Sequence, residues 1–148
     1  MTRSVAAHTF AALLTIAPAA AAADRAATVV QAPDAPVRIE KTAILTPPEG
    51  PPILEYAAVN PNDAAIDEFT VMAFIFDASG TLKAKQGAPA RRGLDPHETK
   101  YSVLVLDGWP IGPTDIIAIG VNQAQRAGSS SWWRADLQRA AEAAVAKK

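Results

Sequence analysis

The sequence predicts an all-β fold, an antiparallel immunoglobulin-like β-sandwich of about seven strands with a short C-terminal α-helix. Three observations lead there. Between residues 37 and 134 apolar residues recur with period two in short runs, as half-buried strands require. Clusters of Pro, Gly, Asn and Asp separate those runs, with no amphipathic helical stretch between them. Residues 135–148 then switch to helical spacing. The chain has 148 residues, 49% hydrophobic and 20% charged, enough to bury one core, although alanine supplies much of that content and covers little apolar area per residue.

Residues 1–23 carry one early base, Arg3, an apolar stretch from Phe10 to Ala17, and the small residues Ala21, Ala22 and Ala23. This is the pattern of a secretory signal peptide cleaved before Asp24, and its apolar run is too short for a bilayer span. A periplasmic or secreted protein with no stable membrane anchor after cleavage is expected. Residues 24–36 are small, polar and interrupted by Pro33 and Pro36, which predicts a flexible leader with order beginning near Val37.

In the sandwich domain, 37–134, the first strand covers 37–45, with Val37, Ile39, Ala43 and Leu45 on one side. Pro47, Pro48, Pro51 and Pro52 around Gly50 stop it in an extended connection. A second strand at 53–59 ends at Asn60, Pro61, Asn62 and Asp63, an Asx-type turn. Residues 69–76 alternate Phe69, Val71, Ala73 and Ile75 against Thr70, Met72, Phe74 and Phe76, so both faces are largely apolar and the strand is central or covered twice. Gly80 closes a hairpin into a polar edge strand at 81–86, whose Lys83 and Lys85 discourage edge association. After a loop over 87–100, strands follow at 101–106 and 116–124, separated by the turn residues Asp107, Gly108, Pro110, Gly112 and Pro113. A seventh strand, 130–134, pairs back after the turn around Gly128. Leu137, Ala141, Ala144 and Val145 share one helical face over 135–148, and Lys147 and Lys148 suit the negative end of a helix dipole.

The strand from Phe69 to Asp77 with its turn at Gly80, and the loop Leu94, Asp95, Pro96, His97, Glu98, Thr99, resemble the FxLYD type of immunoglobulin-like domain in exported bacterial proteins. At the name-giving positions stand Ala73, Phe74, Ile75, Phe76 and Asp77, of which Asp77 is the family's residue. The resemblance implies a noncatalytic envelope or surface module and carries over no catalytic residue.

Residue chemistry narrows the function further. Fourteen basic residues against fifteen acidic ones, interspersed, give a net charge of −1 and no basic patch for nucleic acid. There is no cysteine, and signal cleavage leaves His97 as the one histidine, so no zinc or copper site of several N or S ligands can be assembled within one protomer. Asn60, Asn62, Asp63, Asp67 and Glu68 gather oxygen atoms without the spacing of a calcium loop. Asp67 and Glu68, adjacent in a strand, point to opposite faces and do not flank one bond. His97 with Ser129, Ser130 or Ser131 gives a weak basis for a triad. No catalytic residue, metal or cofactor is therefore expected.

Binding keeps residue-level support. Trp132 and Trp133 are successive, so one indole faces outward, and with Tyr101, Trp109 or Arg134 it can anchor a partner protein or stack on a glycan unless the C-terminal helix covers it. Arg91 and Arg92 can meet an acidic ligand. The sequence favours an exported noncatalytic binding or structural module of the cell envelope, whose partner is an envelope protein or glycan. The alternatives are a small carboxylate-dependent hydrolase or carbohydrate-active enzyme, and an accessory subunit engaging an envelope assembly through its leader or tail.

Overall fold

A computed structural model of the chain describes residues 25–90 and 93–147. The expected signal peptide, Arg91, Arg92 and Lys148 lie outside the described residues. Eight strands and one helix follow in order: β1 (Thr28–Val29), β2 (Arg38–Leu45), β3 (Ile53–Val59), β4 (Ile66–Phe76), β5 (Leu82–Ala90), β6 (Thr99–Val105), β7 (Ile116–Arg126), β8 (Ser131–Trp133) and α1 (Leu137–Val145). They form a β-sandwich. One sheet runs β1-β7-β4-β5 with β8 also on β7, and the other runs β2-β3-β6.

The period-two pattern explains the layers. Phe69, Val71, Ala73 and Ile75 of β4 and Ile117, Ile119 and Val121 of β7 pack into the core shared with Ile39, Ile44, Leu54, Tyr56 and Leu104 of the small sheet. The opposite face of β4, Met72, Phe74 and Phe76, is covered by Leu137, Ala141 and Val145 of α1. A strand apolar on both sides is thus buried on both sides, and the helix docks because its apolar stripe has a sheet face to cover. Gly120 of β7 admits the helix: a Cβ there would lie 2.6 Å from Leu137 Cδ1 and 2.8 Å from the Val30 carbonyl oxygen.

All seven anticipated strands are present, as β2 to β8, but four expectations need correction. The leader is not flexible throughout. Arg25 bridges Ile44, β1 pairs in parallel with Ala118 and Ile119, and Ala27, Val30 and Ala32 are buried. The Arg25 guanidinium also donates to the carbonyls of Gly112, Pro113 and Asp115 at 3.2, 2.6 and 3.0 Å. A two-residue strand is too short to show a period, yet it satisfies backbone groups that β7 would otherwise leave unpaired. Secondly, β5 continues through Gly87 and Pro89 to Ala90, with Pro89 opposite Thr70. Being the edge of its sheet, β5 tolerates a residue without an N–H. Thirdly, β4 begins at Ile66 and its register shifts between Ile66 and Glu68, which leaves both Asp67 and Glu68 exposed rather than on opposite faces. Finally, α1 ends at Val145, so Lys147 lies beyond its last turn.

Candidate functional site

The anticipated binding residues separate into two groups on opposite sides of the sandwich. β8 flanks β7, while β6 is the free edge of the small sheet and borders β5, where Gln86 Nε2 donates to the Val105 carbonyl at 2.6 Å.

In the β8 group, the successive tryptophans point to opposite faces. Trp132 pairs with Ala124, packs partly buried against the main core, and donates Nε1–H to Asp34 Oδ2 at 3.0 Å. Trp133 pairs with Gln123 and is 61% exposed, so α1 does not cover it. Arg134 is occupied: its guanidinium donates to the Val30 carbonyl at 3.0 Å and to Asp136 Oδ1 at 3.3 Å. That tethers β8 to the chain segment after β1 and to the start of α1, and leaves Trp133 as a lone outward indole.

The β6 group is more continuous. Tyr101, Val103 and Val105 are 70%, 59% and 42% exposed and stand in a row on the outer face, and the turn that follows carries Trp109 at 48%. Their neighbours across the small sheet, Ala57, Glu55 and Ile53, continue the face. Lys41, held at φ 50° where β2 bulges between Glu40 and Ala43, donates from Nζ to the Tyr101 hydroxyl at 3.2 Å and lies 5.8 Å from its ring centroid. Lys41, Glu55, Tyr101 and Val103 rim a depression of about 300 Å³. Beneath it Tyr56 is buried, and burial raises its phenol pKa while a hydrogen bond to Ser102 opposes that rise.

The backbone of β6 completes this surface. Leu106 N donates to the Pro52 carbonyl and Asn60 N to the Glu98 carbonyl, at 2.8 and 2.9 Å, which fixes the bonded pairs of the antiparallel ladder as Leu54 with Leu104, Tyr56 with Ser102 and Ala58 with Lys100. The amides and carbonyls of Tyr101 and Val103 therefore face away from β3, toward the open edge. The Val105 carbonyl faces the same way and is the one Gln86 covers. Sequence reasoning found Tyr101 and Trp109 but missed Val103 and Val105. The run from Tyr101 to Leu106 is apolar on both sides except at Ser102, so alternation alone did not say which side meets water.

The catalytic candidates are arranged otherwise. His97, at φ 60°, bonds through Nε2 to Asp63 Oδ1 at 2.9 Å on the surface. Ser129 and Ser131 bond instead to Gln125, through the Ser129 carbonyl and the Ser131 hydroxyl. Asn60 is buried, and its amide donates to the carbonyls of Ala64, Leu94 and Asp95 while its Oδ1 accepts from Asn62 N. It is a knot between loops rather than a cation ligand. Among the described residues no three His, Asp or Glu side chains converge to hold a metal ion, and no helix is long and apolar enough to cross a membrane.

Compared with known proteins, the chain matches no family model, no curated protein and no solved structure.

Proposed function

We propose that this chain is an exported noncatalytic binding module of the bacterial cell envelope, an immunoglobulin-like domain of FxLYD type that captures an extended segment of a partner protein along β6. One observation carries the reading. Tyr101 and Val103 turn unbonded backbone groups to the free edge and apolar side chains to solvent, so an added strand gains main-chain hydrogen bonds and alternating side-chain contacts together. Exposed edges of this kind invite pairing, and soluble domains usually blunt them with charge, proline or a bulge. Here β5 has Lys83, Lys85 and Pro89, whereas the outward row of β6 has none of these devices. The signal-peptide pattern supports export, and Lys41 beside Tyr101 supports a partner strand with an acidic residue near that position.

The test is in-cell photo-cross-linking from position 101, with and without Val103→Pro. Proline removes an N–H that β3 does not use, so the sandwich is expected to stay folded while strand addition is blocked, weakening capture by about tenfold or more. A discrete protein adduct that disappears in folded Val103→Pro supports strand addition. An adduct that persists in that variant, or one formed only from a cross-linker on α1 at position 142, contradicts it.

A further inference from the structure

A second site lies away from β6, at the end of the sandwich where the segment after β1, the start of β2 and the turn after β3 meet the end of β7. A cavity of about 500 Å³ opens there, within the size range of small-molecule pockets, with Gln31, Asp34, Arg38, Asn62 and Arg126 in its lining.

Its charges are unevenly satisfied. Among the described residues, nothing accepts a hydrogen bond from the guanidinium of Arg38 or Arg126, and the Arg126 Nε is shut away from water without an acceptor. That Nε is as far out of reach of a ligand oxygen as of water, whereas the terminal nitrogens of Arg126 and the exposed guanidinium of Arg38 have no acceptor among the described residues and can donate to one in the cavity. Asp34 does not supply the missing partner. Its carboxylate faces the Trp132 indole N–H, which holds its pKa below the ordinary value, with Arg134 and Arg126 adding attraction from farther away. The neutral amides are engaged in holding the walls: Gln31 bridges the Val37 carbonyl and the Ile39 amide, and Asn62 donates to the Pro36 carbonyl at 2.7 Å. Two guanidinium groups and one carboxylate leave the lining with one net positive charge.

We propose that this cavity binds a small organic molecule through a single carboxylate held between Arg38 and Arg126. Guanidinium groups recognise planar carboxylates through paired N–H donors, and one net positive charge matches a monoanion. Asp34 repels a second negative charge and so disfavours a phosphate dianion. This site is independent of partner capture at β6.

Titration of the isotope-labelled chain with benzoate, benzamide or inorganic phosphate, at constant ionic strength, tests the assignment by the amide shifts of Asp34 and Asn62. Benzoate is expected to shift both saturably, benzamide to leave them in place, and phosphate to bind more weakly than benzoate. Arg38→Gln and Arg126→Gln should each weaken benzoate by about tenfold, the loss of one charge-assisted pair. Arg38 is exposed, so Arg38→Gln remains informative even if Arg126→Gln unfolds the chain. No saturable benzoate shift, equal responses to benzoate and benzamide, tighter binding of phosphate, or an unaltered affinity in folded Arg38→Gln would each overturn the proposal.

Discussion

At the scale of single residues, the lack of a side chain at Gly120 lets α1 approach the large sheet. Gly120→Ala would place a methyl group 2.6 Å from Leu137 Cδ1 and 2.8 Å from a backbone carbonyl. The Leu137 side chain would be displaced from its place on the sheet and the Val30 carbonyl belongs to a paired segment, so urea unfolding should show a loss of about 1–3 kcal/mol. Asp115 makes a second prediction. The Lys83 ammonium, 2.5 Å away, holds its carboxyl below the ordinary value of 3.8, with the Gly112 amide also donating to it. A depressed folded pKa gives stability that is present above the unfolded value and lost as pH falls through the folded one. Asp115→Asn should lower stability at neutral pH and flatten its decline below about pH 4, the ordinary carboxylate range; equal acid slopes in parent and variant would contradict this. Asn60 was legible as a turn residue because Asx side chains bond to nearby backbone, and Asn62 N does donate to it. Its burial was not legible, since the carbonyls of Leu94 and Asp95 reach it from a loop far along the chain.

Among the elements, α1 shows how an outer sheet face is closed. Residues 137–145 would be marginal as an isolated helix, and Leu137, Ala141 and Val145 gain their stability against Phe74 and Phe76. Leu137→Ala is expected to cost about 2–5 kcal/mol in urea unfolding, as a buried leucine truncation does. Because the truncation also removes the atoms that Gly120→Ala would strike, the double variant should lose less than the two single losses added together. Strict additivity would mean that the helix does not rest on Gly120. The helix was readable from its spacing, and the strand that receives it from its two apolar faces. β1 was not readable, because two residues carry no periodicity and its pairing depends on the β7 edge that it completes. The sequence pattern ends this strand at Gln86 because glycine and proline normally stop strands, and the edge position of β5 lets it run on to Ala90.

For the whole molecule, the all-β sandwich and the seven longer strands were legible because turn clusters and period-two runs agree along the chain. The grouping of candidate binding residues was not. Trp132, Trp133 and Arg134 lie beyond β7 and Tyr101 and Trp109 on the β6 side, a division set by strand order, which local pattern does not encode. What strand order leaves is a sandwich with one large-sheet face under a helix and one small-sheet edge open, the edge proposed to capture a partner. The most direct measurement is hydrogen exchange along β6 in the free chain and in the complex it captures. Strand addition at β6 predicts fast exchange at Tyr101 and Val103 beside slow exchange at Ser102 and Leu104 in the free chain, with Tyr101 and Val103 becoming protected in the complex. Protection gained elsewhere while those two amides stay fast, or slow exchange at both before any partner is bound, would contradict it.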